Sequence, residues 1–388
     1  MLNKTVIATF YLIIMNFQHV PLEGHGVSPL KVTAMLASPL VFLWVHKFSK
    51  AVVWGACYVI WLFACMYLQY DNPRLETLGY CAMFVMTYVT FYNLVYAGSF
   101  KKEYFHKLLR YFLWTYIIVI VLQQAISVAL RTEVPFLNFY YVPLELLKVP
   151  GLTQEPSSSS RIMGAMFLAF LQTSEFIENK PITPVYLWKN YRWLTLGFLY
   201  AMISMYSGTA MVVLAILAVY FFRGKQLFYV VPLCLLAWIL IPQVKYNPLT
   251  RVVNTTDAAL TLVSEEVIIA DHSASFRVVP ILNVLKADYS DAKTWLGYGT
   301  DTSDGYDMRD DRNTVFAARG LICFVIGLFF VFNCAIKPLF SVATLLFLAV
   351  VGSALLNFYY TWGILMIFTV VSYFYIENQK NGDTLYEL

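Results

Sequence analysis

"GLTQEPSSSSRIMGAMFLAF" (151–170) sends a polar run with one carboxylate, four serines and one arginine straight into an apolar helix. Pro156 suits the first turn of that helix, where a missing N–H has no partner to lose. If the helix runs on into 161–178, Ser157 and Arg161 lie four residues apart and share a face. Its N-terminus offers backbone N–H groups and partial positive charge, which favour an anion. Arg161 adds a planar fork suited to phosphate. Two readings stand side by side. The segment is an anion seat at a helix mouth, or Arg161 snorkels at a membrane interface while Glu155 caps the helix.

Composition says which kind of helix this is. Of 388 residues, 60% are hydrophobic and 13% are charged, with a mean hydropathy of +0.64. Soluble domains carry about 25% charged residues, so the chain reads as a polytopic membrane protein. A span needs about 20 apolar residues. Windows of that size predict spans at 4–19, 28–46, 50–69, 77–97, 106–130, 161–178, 191–206, 208–223, 226–242, 314–335, 338–352 and 354–376. The chain is thus one polytopic domain, 1–388, an all-α bundle of about twelve transmembrane helices. "MLNKTVIATFYLIIMNF" (1–17) reads as an uncleaved first helix, because no small-residue cleavage site follows it. The six cysteines fall inside apolar runs and read as small buried hydrophobes, not as disulfides or metal ligands.

Short loops set the orientation through Lys and Arg. "HKFSK" (46–50), "FKKEYFHKLLR" (100–110), "ENKPITPVYLWKNYR" (178–192), "RGK" (223–225) and "IKP" (336–338) share one side, expected to be cytoplasmic. The opposite side carries two long loops, 131–160 and 243–313. The larger has 7 Lys/Arg against 11 Asp/Glu and is net acidic. Charged residues such as Glu145, Lys148 and Glu175 sit near span ends, without the chain of intramembrane acids that proton-coupled transporters use.

In the larger loop, "HSASFRVVPILNVL" (272–285) again places a serine and an arginine four apart, Ser273 and Arg277. Val278, Ile281, Leu282 and Leu285 fit one face of an amphipathic helix, with Pro280 kinking it or lying in its first turn. His272 is either a titrating group or a solvated loop histidine. The aspartates of "DTSDGYDMRDD" (301–311) do not follow the EF-hand spacing and read as a solvated acidic loop.

Together these stretches resemble the O-antigen polymerase and ligase superfamily, the membrane glycosyltransferases of the Wzy and WaaL types. The resemblance rests on "QEPSSSSRIMG" (154–164), on "HSASFRVVPILNVL" followed by "WLGYG" (295–299), on "NTVFAARGLICFVIG" (313–327), and on the layout of many spans with one dominant late loop. It implies a GT-C-like fold in a bacterial inner membrane, with a large periplasmic loop containing amphipathic helices and the active site facing the periplasm. It also implies an undecaprenyl-pyrophosphate-linked glycan as substrate, membrane lipid around it, no cofactor or metal, no nucleic acid, and a chain-length regulator as a candidate partner.

A polymerase moves the growing chain onto the next lipid-linked repeat unit, and a ligase moves it onto lipid A core. On that reading Arg161 and Arg277 correspond to the family's two functional arginines at the diphosphate. Glu155 is the candidate general base, with His272 and Asp271 behind it, and Ser157, Ser160, Ser273 and Asn313 orient sugar or phosphate oxygens. "RNT" (312–314) lacks the histidine of the ligase signature, which favours the polymerase. "SMYSGTAM" (204–211) departs from the family by lacking a basic residue. A ligase, a polysaccharide flippase or transporter, and a membrane scaffold without chemistry remain as alternatives.

Overall fold

The structure is a computed structural model, describing residues 3–17, 29–45, 47–68, 75–131, 147–153, 155–222, 247–297, 315–352, 355–356 and 359–381. Among them the chain is helical with no strand. The helices are α1 (Lys4–Asn16), α2 (Pro29–Val45), α3 (Lys50–Leu68), α4 (Leu75–Tyr96), α5 (Lys102–Leu130), α6 (Pro156–Glu178), α7 (Pro184–Ser204), α8 (Gly208–Val219), α9 (Asn247–Leu260), α10 (Ser264–Ala270), α11 (His272–Lys286), α12 (Ala292–Leu296), α13 (Val315–Cys334), α14 (Val342–Val350) and α15 (Tyr359–Lys380).

Helices overlap every predicted span except 226–242, which lies outside the described residues. Among the described residues, three helices are long and apolar enough to cross a membrane: Leu78–Tyr96, Lys102–Leu130 and Tyr359–Lys380. The apolar helices at Lys4–Asn16, Leu30–Val45, Lys50–Cys65, Gly208–Val219 and Arg319–Cys334 are shorter. In particular, α8 and α14 stop well short of a full span, with 12 and 9 residues.

Local chemistry sets several ends. The Asn3 side chain accepts from the Thr5 N–H, and Thr183 accepts from Tyr186 with Pro184 opening α7. Asn179 closes α6 in a left-handed conformation, a role its short polar side chain tolerates.

The centre of the bundle is α6, which packs against α5, α8 and α15. From Ser158 to Leu171 every residue of α6 is buried. On the far side of α15, Phe84 and Trp362 stack at 6.0 Å, with Tyr88 and Phe330 closing the aromatic core. Interior hydroxyls bond back to carbonyls one turn earlier, as Thr87, Thr90, Thr173, Ser174 and Thr369 do. No buried hydroxyl in this set is left unsatisfied, which an apolar surround requires. On the outside, α5 exposes Ile118, Val121, Leu122 and Val128, an apolar stripe fit for lipid. Four of the five described cysteines are buried as expected, whereas Cys57 is exposed on α3.

The large loop folds as α9–α12 and docks back onto the bundle. Val279 and Leu282 of α11 pack on Val267 of α10 in a small second core. This corrects the predicted face, since Ile281 and Leu285 are exposed; of the two places open to Pro280, the helix interior is the one taken.

The loop's return is fixed at Gly320, where α13 breaks with φ 73° and ψ 168°. That region is essentially reserved for glycine. A Cβ there would sit 2.1 Å from the carbonyl oxygen of Trp295 at the end of α12. Gly320→Ala should therefore cost several kcal/mol, combining about 1–3 kcal/mol of backbone strain with a clash against backbone that cannot rotate away. Thermal unfolding in detergent measures it. A melting temperature equal to wild type would contradict the α12–α13 junction.

Candidate functional site

A cavity of about 510 Å³ opens where the end of the 131–160 loop, the α7–α8 turn and the large loop meet. Lys148, Glu155 and Ser157 come from the first, Ser207, Gly208 and Thr209 from the second, and Arg251, Thr255 and Asp271 from the third. Of the residues singled out from sequence, Glu155, Ser157 and Asp271 are brought together here. The α11 backbone that carries His272, Ser273 and Arg277 runs along the same edge, because Asp271 and Val278 on either side both line the cavity. Asn313 and the aspartates of 301–311 lie outside the described residues.

The strand of chain entering α6 is tightly held. Gln123 of α5 clamps Gly151 through both backbone groups: its Nε2 donates to the carbonyl at 2.9 Å, and its Oε1 accepts from the N–H at 2.8 Å. Gly151 takes a left-handed φ of 67°, which glycine adopts without strain. Thr153 then donates to the Glu155 carbonyl at 2.7 Å and meets the Ser159 hydroxyl at 2.9 Å. This network leaves Glu155 extended at the N-cap position with its carboxylate exposed and making no cap bond. The Ser157 hydroxyl donates to Glu155 Oε2 at 3.1 Å. Glu155 is therefore not a helix cap through its side chain. It stands at the cavity as a carboxylate oriented by one hydroxyl.

Two sequence expectations need correction. Arg161 neither lines the cavity nor snorkels outward; it is buried at 5% exposure. Its guanidinium donates to the Tyr360 hydroxyl and stacks 4.7 Å above the Tyr360 ring, while its Nε has no hydrogen-bond partner. The reason is that α6 is the central helix, so a residue one turn inside it meets α15 and not solvent. Neighbouring Tyr359 lies in electrostatic range of both Arg161 and Glu155, and carries Lys31 over its ring at 5.1 Å. Arg161 is thus a fixed positive charge beneath the site, roughly 6 Å along the helix from Ser157. Ser160 is also withdrawn, buried with its hydroxyl donating to the Pro156 carbonyl at 2.7 Å.

Sequence reasoning missed Arg251. Its Nε and Nη2 donate to the two carboxylate oxygens of Asp271 at 2.7 and 2.8 Å, a bidentate pair at the cavity wall. Asp271 is nearly buried, whereas Arg251 keeps a third of its side chain exposed. With both oxygens engaged, Asp271 aims Arg251 and does not stand ready to take a proton. The i, i+4, i+8 spacing of Arg251, Thr255 and Ala259 was the available signal, since all three line the cavity from one face of α9.

Formal charge at the cavity balances, with Lys148 and Arg251 against Glu155 and Asp271. The N-termini of α6 and α8 tip the balance, since Pro156, Ser157, Gly208 and Thr209 all line the wall. Helix N-termini carry partial positive charge and favour phosphate-type anions. The α7–α8 turn, which lacks the expected basic residue, supplies a helix terminus and hydroxyls instead. The arrangement offers a seat for an anion beside an exposed carboxylate.

A second interior arginine, Arg319, lies away from this cavity. It is 2% exposed and donates to the Tyr58 hydroxyl at 3.0 Å and to Cys81 Sγ at 3.1 Å. Among the described residues neither Arg161 nor Arg319 pairs with a carboxylate. No protein-family model, curated protein or solved structure matches the chain.

Proposed function

We propose that the chain is a polytopic membrane glycosyltransferase of the Wzy type, with about twelve spans in a GT-C-like bundle. It sits in a bacterial inner membrane with the cavity facing the periplasm. There it polymerises undecaprenyl-pyrophosphate-linked repeat units of an O-antigen or capsule. The observation that carries this reading is the convergence of Glu155, Ser157, the Arg251–Asp271 pair and two helix N-termini on one cavity. A volume of about 510 Å³ accommodates a diphosphate and adjoining sugar.

In the reaction, an acceptor hydroxyl attacks the anomeric carbon of the donor glycan. The bond from that carbon to the carrier diphosphate breaks, and its electron pair leaves on the diphosphate oxygen. Charge that grows on the leaving group is met by Arg251, Lys148 and the helix N-termini, with the buried Arg161 adding field from below. Glu155 takes the acceptor proton. Arg277, the other arginine the resemblance points to, is carried by α11. This chemistry works with fixed cations alone and expects no metal.

Purified protein given one defined lipid-linked repeat unit, with EDTA present, should produce a ladder of lengthened glycan. Product only when lipid A core is supplied would make the chain a ligase. Movement of the lipid across a vesicle without any new linkage would make it a flippase.

A further inference from the structure

A second cavity, of about 310 Å³, lies at the other end of α6. Its wall includes Ile177 and Glu178, whereas the first cavity includes Pro156 and Ser157. The 23 residues of α6 separate the two by roughly 33 Å, close to a bilayer's hydrocarbon thickness. The second cavity is set in the basic end of the bundle, among the loops whose Lys and Arg predict the cytoplasmic side.

Its lining changes character along α5. Glu103, His106, Lys107 and Arg110 stand at the outer end, and Tyr111 and Trp114 lie deeper along the helix. The floor is built, not incidental. His106 is buried, with Nε2 3.0 Å from the Ser174 hydroxyl and its ring stacked on Phe170 at 4.6 Å. α7 breaks at Tyr191, with φ −138°, which turns that ring edge-on to Phe170 at 5.0 Å as the far wall.

The carboxylate of Glu178 is already engaged, accepting from Tyr186 at 2.8 Å and pairing with Lys180 at 3.1 Å. Lys107 and Arg110 are exposed at the mouth, 5.8 and 5.5 Å from the Tyr111 and Tyr191 ring centres. Among the described residues lining the cavity, Glu103 is the other carboxylate. Trp188 and Trp193 of α7 are exposed, as side chains at a membrane–water boundary are.

We infer that this cavity binds the phosphodiester headgroup of an anionic phospholipid, with Lys107 and Arg110 on the phosphate and the acyl chains along the Tyr111–Trp114 side. The gradient from cations to aromatic carbon along α5 matches a lipid's own gradient from headgroup to tail. The inference rests on the bundle being membrane-embedded and is independent of glycosyl transfer.

Native mass spectrometry of the full-length protein in detergent tests it, with dioleoyl phosphatidylglycerol, dioleoylglycerol and inorganic phosphate as probes. Phosphatidylglycerol should be retained, and retention should fall about tenfold or more in Lys107→Gln/Arg110→Gln. The charge-keeping Lys107→Arg/Arg110→Lys should retain it, with both variants unfolding at the wild-type temperature. Equal retention of dioleoylglycerol, or no loss in the glutamine variant, would overturn the inference. Displacement by millimolar inorganic phosphate would also overturn it, assigning the site to a soluble phosphate.

Discussion

Glu155→Gln should lower the rate of glycan polymerisation by about 10²–10⁴-fold, the range over which a positioned general base contributes. The substitution keeps the shape of the side chain and its contact with Ser157, which lies 3.1 Å from Oε2. It removes the charge that accepts the proton. Folding should be barely touched, because the carboxylate is exposed and makes no cap bond to α6. The lost interaction with the helix dipole is worth about 0.3–1 kcal/mol. The check is initial rate against melting temperature. A variant that unfolds early would move Glu155 from chemistry to structure.

Arg251→Gln should cost about 10²–10³-fold in turnover, the effect of removing one preorganised donor from a developing anion. The partner substitution separates roles. Asp271→Asn leaves the guanidinium in place but gives up the bidentate grip at 2.7 and 2.8 Å. If Asp271 positions Arg251, Asp271→Asn should be the milder of the two, and the double variant no worse than Arg251→Gln alone. Independent, multiplying losses would show that the pair does not act as one unit.

The helices were legible because apolar windows of span length stand out against 13% charged residues. Which face of each helix is buried was not legible. Where a helix is enclosed on every side, periodicity carries no direction, and α6 is such a case. Ser158, Ser159 and Ser160 follow one another and are all buried, since α5, α8, α14 and α15 surround the helix. The same enclosure moved Arg161 from an outward-facing anion ligand to an interior charge held by Tyr360.

Glu155 and Ser157 were readable because they precede the enclosed part of α6. Arg251 was one of several charges in a long loop, and its meaning comes from Asp271, twenty residues later in sequence at the cap between α10 and α11. The resemblance motifs "WLGYG" and "NTVFAARGLICFVIG" meet at Trp295 and Gly320, a contact that their separation in sequence does not reveal.

The most direct test of the account is the stoichiometry of carrier release. With purified protein and one defined undecaprenyl-pyrophosphate-linked repeat unit, free carrier diphosphate and new glycosidic bonds are counted in the same reaction. The account predicts one carrier diphosphate released for each bond formed, both falling together in Arg251→Gln by about 10²–10³-fold. Carrier release without new bonds would mean hydrolysis, and no release from wild type would contradict glycosyl transfer at this cavity.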